Sequence, residues 1–214
     1  MEEAAGWHRA SRRLTPRVIL ALVLLVTVLT AGTLVLALRG GDGRGVYLGS
    51  VPPVKVTLPD FSLSNYTGDT VSAGDLHGRV VLVTFLDTRC RESCPIIASL
   101  LGQTLDRLSS AERQRVAVVA FTVDPVDDTP QAVRDFLRTH RVEGRIRYLI
   151  GSEQELRPLW TAFAVLPAVD SGSDDIHSAP VRIFDRDGVW VSTQHVGVDL
   201  TPGNLAHDVR EALG

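Results

Sequence analysis

Two runs, Val80-Val81-Leu82-Val83-Thr84-Phe85-Leu86 and Val116–Val123, constrain this chain more than any other feature. Neither alternates between apolar and polar residues. A strand of that kind is apolar on both faces, so the sheet that holds it must be covered on both sides. Segments able to cover it lie between and after the runs. Pro95–Leu108 places Ile96, Ile97, Leu100, Leu101, Leu105 and Leu108 on one helical stripe, with Pro95 in the first turn, where its missing N–H costs nothing. Thr129 is an N-cap candidate for a helix from Pro130 to His140. Ser152 and Glu155 form a capping-box pattern for a helix ending near Ala164, and Asn204–Leu213 closes the chain as a helix.

The remaining strands are short. Asp60–Leu63 and Thr70–Ser72 read as a hairpin, Ile146–Ile150 as a single strand. Val181–Phe184 and Val189–Ser192 flank Asp185-Arg186-Asp187-Gly188, a strong hairpin signal. The order is therefore β-β-(β-α)-(β-α)-β-α-β-β-α. Its early strand–helix units favour parallel pairing and its late hairpin supplies an antiparallel edge. This predicts an α/β chain with a thioredoxin-like fold, a mixed β-sheet flanked by helices.

Ahead of this domain, Val18–Leu38 contains 21 residues without a charge, flanked by Arg17 and Arg39. As a helix it would span roughly 31 Å, about a bilayer core. It has no polar face, and it is longer than the apolar region of a cleaved signal peptide. One transmembrane helix is expected, giving a cytoplasmic segment 1–17, an anchor 18–38, a linker 39–50 and an extracytoplasmic domain 51–214. Arg9, Arg12, Arg13 and Arg17 precede the span and only Arg39 and Arg44 closely follow it, which keeps the N-terminus in the cytoplasm. The Gly40–Gly45 stretch reads as a flexible tether.

Charge narrows the partners. Residues 1–45 hold six arginines against three acids, a net of +3; since the whole chain is −3, residues 46–214 carry −6. A mildly acidic domain with no basic stripe argues against nucleic acid.

The only two cysteines, Cys90 and Cys94, lie between the Val80–Leu86 strand and the helix that follows. A helix N-terminus stabilises thiolate, the form needed both for nucleophilic attack and for binding soft metals. Such a pair can cycle between dithiol and disulfide or hold a metal. A purely structural disulfide would close a tiny loop and stabilise little. Three residues separate the cysteines, one more than in redox thioredoxins, leaving room for an atom between the sulfurs. Zinc would need four ligands, more than this chain offers around the pair. The peroxiredoxin pattern Pro-x-x-x-Thr-x-x-Cys is not met, because Val83 and Asp87 occupy its Pro and Thr positions.

Three segments then carry a resemblance: Gly78 to Pro95 with its Cys-Arg-Glu-Ser-Cys-Pro, Phe121-Thr122-Val123-Asp124-Pro125-Val126-Asp127-Asp128-Thr129-Pro130, and Ile176 to Gly188 with His177 eleven residues before the glycine. In this order, behind a single anchor, residues 50–214 resemble the Sco/SenC family of membrane-anchored copper proteins. The resemblance implies a copper chaperone, taking Cu(I) or Cu(II), that helps load the dinuclear centre of cytochrome c oxidase subunit II or another copper-accepting protein. It implies Cys90, Cys94 and His177 as the copper ligands. Asp124 and Asp128 match an acidic segment and are expected to support the site or dock a partner. An external thiol reductant would keep the pair reduced in an oxidising compartment. Pro180 stands where thioredoxins carry a cis-proline facing the dithiol, which keeps a thiol–disulfide reductase in view, with Cys90 attacking and Cys94 resolving. His77, His140, His195 and His207 read as surface or capping residues.

Overall fold

In the computed structural model of the chain, the described residues are 16–39, 46–167 and 180–214. They belong to two units, Met1–Arg44 and Gly45–Gly214. In the first, helix α1 (Pro16–Arg39) covers the apolar run, and its described large side chains, such as Leu20 and Val28, are exposed. Among the described residues no helix is long and apolar enough to cross a membrane. The expected span over Val18–Leu38 therefore gains no support from them.

The second unit is built on one seven-stranded sheet ordered β2-β1-β5-β4-β3-β6-β7. Its strands are β1 (Ser62–Asn65), β2 (Thr70–Ser72), β3 (Val80–Leu86), β4 (Val116–Thr122), β5 (Arg147–Ile150), β6 (Val181–Phe184) and β7 (Trp190–Gln194). The central β3, β4 and β5 run parallel. The β1–β2 hairpin joins antiparallel to β5, and the β6–β7 hairpin joins antiparallel to β3. This is the mixed sheet that the element order predicts. All seven residues of β3 and all seven of β4 are buried, as strands without alternation require.

The helices of this unit are α2 (Ser93–Arg107), α3 (Ser110–Gln114), α4 (Pro130–Thr139), α5 (Glu153–Ala162) and α6 (Pro202–Leu213). Ile97 and Leu101 of α2, Val133 and Leu137 of α4, and Leu205 and Val209 of α6 pack with Val80, Leu82 and Leu86 of β3 on one face. Leu156, Leu159 and Trp160 of α5 pack with Val81, Val83 and Phe85 on the other. The caps form as expected. Thr129 Oγ1 accepts the Ala132 N–H, and Ser152 and Glu155 make a reciprocal capping box.

Boundaries differ where tertiary contacts decide them. β7 begins at Trp190, one residue later than expected, and runs on to Gln194, because β6 pairs along it and Ser50 bridges Thr193. α2 begins at Ser93, two residues before Pro95. Its first turn is capped by sulfur, as described below. Asp208 of α6, fully buried, accepts N–H groups from Leu48 and Gly49, the Ser192 hydroxyl and the Gln194 amide, so Leu48–Ser50 is bound into the body of the domain.

Candidate metal centre

β3 and β4 run parallel in register from Val80↔Val116 to Leu86↔Thr122, so the loops that follow them emerge side by side. The first loop, 87–92, carries Cys90 into α2. Asp87 Oδ1 accepts the Arg89 N–H at 2.6 Å and turns the chain immediately after the strand. Cys90 is 3% exposed and Cys94 fully buried. Both are thiols rather than a disulfide. The Cys94 N–H donates to Cys90 Sγ at 3.4 Å, and Ser93 Oγ lies 3.6 Å from the same sulfur. Glu92, at the N-cap position, makes no side-chain cap. Cys90 thus does for α2 what a serine or aspartate oxygen usually does, satisfying an N–H at the helix start.

The two sulfurs are not equivalent. The Cys94 thiol is pushed far above its ordinary range, first by its hydrogen bond with Cys90 and then by burial and the neighbouring Cys90 charge; the Asp87 backbone acts in the opposite sense. Cys94 therefore keeps its proton and shares it with Cys90. Cys90 Sγ is the sulfur that faces the helix N–H.

A buried carboxylate fastens this loop to the next. Asp128 Oδ1 accepts the Thr88 N–H at 2.9 Å and the Thr88 hydroxyl at 2.7 Å; Oδ2 accepts the Thr122 hydroxyl at 2.5 Å and the Tyr148 hydroxyl at 2.6 Å. Burial pushes the Asp128 carboxyl above its ordinary range against the pull of those donors. The Tyr148 phenol is held well up by burial and by Asp128 beside it. Asp124 folds its own loop, accepting the Val126 and Asp127 N–H groups at 3.2 Å. An exposed ion pair between Arg89 and Asp127 closes the outer side. Asp124 is 5% and Asp128 3% exposed. Of the two roles expected for them, burial suits support of the site and not contact with a partner.

Pro180 is buried at the start of β6. Because β6 is antiparallel to β3, with Arg182 opposite Val83, Pro180 lies toward the end of β3 that carries the thiols. His177 and the Ala179–Pro180 bond lie outside the described residues, so the expected third ligand and cis bond do too. Among the described residues no group of three or more His, Cys, Asp or Glu could hold a metal ion. His140 caps α4, the His195 N–H donates to Asp199, and His207 contacts Asp208. Asp87, Thr88, Thr122 and Tyr148 are the supporting residues that sequence reasoning missed. Asp87 could have been noticed as an acid directly between an apolar strand and a cysteine loop. Tyr148 carries no such signal, for its partner is 20 residues away in sequence.

With this geometry in hand, comparison with known proteins is decisive. The profile of the SCO1/SenC family matches residues 52–214. The chain belongs to the SCO1/SenC family. It is similar to the SCO1 protein homolog of Bacillus subtilis, 28% identical over 189 residues that cover 86% of this chain and 95% of the relative. Among solved structures, it is similar to BsSco, described as a member of the Sco family of cytochrome c oxidase assembly proteins with a disulfide switch. That likeness has a TM-score of 0.64 and 26% identity, covering 77% of this chain and 97% of that one. The copper-bound ScoI of Bradyrhizobium japonicum shares the fold, with a TM-score of 0.58, 24% identity, and 74% and 100% coverage. The thioredoxin-like fold expected from the element order is that of this family's structures.

Proposed function

We propose that this SCO1/SenC protein binds copper through Cys90, Cys94 and His177 and hands it to the dinuclear centre of cytochrome c oxidase subunit II, or to another copper-accepting protein. The observation that carries this reading is the thiol pair: two adjacent, buried sulfurs at a helix start, one of them facing a helix N–H. Soft, negatively polarised sulfur in a dry site suits Cu(I), and the ligand set would also accept Cu(II). Copper bound in the ScoI relative supports the same choice of metal. Asp128, Thr88 and Asp124 would position the loop that carries the pair. The copper is cargo, released by ligand exchange with the acceptor.

Membrane attachment through residues 18–38, with the domain 51–214 outside and a linker 39–50 between, belongs to the same proposal. The uncharged run and its arginine flanks in the sequence support it. A structural relative is described as a SCO1/SenC family lipoprotein, a different way of attaching such a domain to a membrane. An external thiol reductant would keep the pair able to bind metal.

A second reading, thiol–disulfide exchange on the acceptor's cysteines, is favoured by one observation: Cys90 and Cys94 are both free and sit together at the start of α2, as an attacking and a resolving thiol must. Anaerobic copper titration of the reduced full chain in detergent, beside His177→Ala, separates the two. A chaperone binds one copper tightly and loses affinity in the variant. Undiminished copper binding by His177→Ala sinks the ligand assignment, and no tight copper binding by the parent leaves the exchange reading.

A further inference from the structure

The end of the sheet opposite the thiols holds a cavity of about 480 Å³. Its origin is a mismatch in strand starts. β3 and β4 pair from Val116 onward, but β4 and β5 pair only from Val119↔Arg147. Val116–Val118 therefore extend past the first β4–β5 pair and, with the 65–69 turn and residues 144–147, line the notch that remains.

Three guanidinium groups, of Arg113, Arg145 and Arg147, line this notch. Arg113 Nη1 is held by the carbonyls of Leu105 and Leu108, which fix its position without neutralising it. Arg145 bonds the Gly102 carbonyl and pairs with Asp106 at 2.7 Å. Asp69 is the one carboxylate among the lining residues, and it accepts the Thr67 hydroxyl at 3.0 Å. Arg147 Nη1 is buried with no hydrogen-bond partner, and so is Asn65 Oδ1 on the same wall. Buried donors and acceptors are nearly always paired. The void thus lies among three arginines in a domain of net negative charge, with an unpaired donor and acceptor buried in its walls.

We propose that this notch is a binding site for a small organic anion bearing carboxylate or phosphate groups. Its volume falls in the range of metabolite pockets, and planar guanidinium forks match oxyanion geometry. Arg113, Arg145 and Arg147 supply the positive field, with Asp106 bonded to Arg145 and Asp75 near Arg147 as the acids that face it. The site lies at the far end of the strands from Cys90 and stands or falls independently of copper binding.

The test is titration of the full chain in neutral detergent with succinate, with glycerol 3-phosphate and with sucrose as an uncharged control, followed by backbone amide NMR. Saturable shifts confined to residues 65–69, 116–118 and 144–147 are expected with at least one anion and none with sucrose; which anion saturates tells carboxylate from phosphate. Arg147→Gln should weaken that binding by about tenfold or more, and added salt should weaken it in the parent protein. Absence of saturation with both anions overturns the proposal. So do shifts centred on the thiol loop, or an unchanged affinity in a folded Arg147→Gln protein. If that variant does not fold, the location and salt dependence of the parent's shifts decide alone.

Discussion

The two ends of the central strands carry charge of opposite sign. Past the C-terminal ends of β3 and β4 lie Asp87, Asp124, Asp127 and Asp128 with both thiols; before their N-terminal ends lie Arg79, Arg113 and Arg115, with Arg145 ahead of β5 and Arg147 its first residue. At the acidic end the hydrogen-bonding demand of the key carboxylate is met internally. Asp128 alone accepts four bonds, and the loops it ties leave the sulfurs buried. At the basic end the guanidiniums surround a void and one keeps an unmet donor. The difference teaches that an end whose loops are tied together by one carboxylate suits holding a cation in a fixed sulfur geometry. The other end is incomplete without an anion.

The largest blow to this contrast comes from Cys90→Ser. Replacing the polarised sulfur with a hydroxyl should lower copper affinity by more than about a hundredfold, read by competition with a chelator, while leaving the fold intact. Stoichiometric, tight copper binding in this variant would break the assignment of the acidic end. Next comes Asp128→Ala, which strands buried hydroxyl and amide donors and should cost about 2–4 kcal/mol in urea unfolding of the domain transition. An unchanged midpoint would mean that the carboxylate does not hold the two loops together. Arg147→Gln separates the ends. It should leave copper titration unchanged while weakening anion binding about tenfold, and coupled losses would show that the ends are not independent.

The smallest effect sharpens how burial and donors compete. Asp128 is raised in the folded state, so its contribution to stability is present below the unfolded carboxyl pKa and is lost as pH rises through the folded one. At Asp208 burial also pushes upward, but donors from Leu48, Ser192, Gln194 and His207 outweigh it and hold the carboxyl low. Its contribution is present above the unfolded pKa, about 3.9, and is lost as pH falls through the folded value. The stability difference between Asp208→Asn and the parent should therefore shrink on acidification from pH 6 toward 3. For Asp128→Asn the parent's relative stability should instead fall as pH rises over the carboxyl range. Parallel profiles for the two variants would show that donor count does not set the sign.

Much of the site was legible in the residues alone. Cys90 and Cys94 stand between an apolar strand and a helix stripe, and the Asp124–Pro130 segment stands after a second such strand. The support beneath them was not legible. Tyr148, Thr122 and Thr88 meet on Asp128 only because β3, β4 and β5 lie side by side, and nothing local marks a tyrosine or threonine as a partner of a distant carboxylate. The early start of α2 was hidden for a related reason. Ser93 and Cys94 become helical because a cysteine sulfur accepts the Cys94 N–H, a cap that helix-start rules based on oxygen side chains do not include.

By itself, the sequence determined the order of the strands and of the longer helices, though not the short α3, since continuous apolar runs and helical stripes are local patterns that a layered sheet must bury. It also placed both sulfurs between an apolar strand and a helix, where soft-metal binding or dithiol chemistry is expected. Tertiary structure alone decided which sulfur caps the helix, that Asp124 and Asp128 turn inward, and that Arg113 shares one cavity with Arg145 and Arg147. Those outcomes depend on distances between residues far apart in the chain, set by strand register, and hydrogen bonding and desolvation act only once that register has formed.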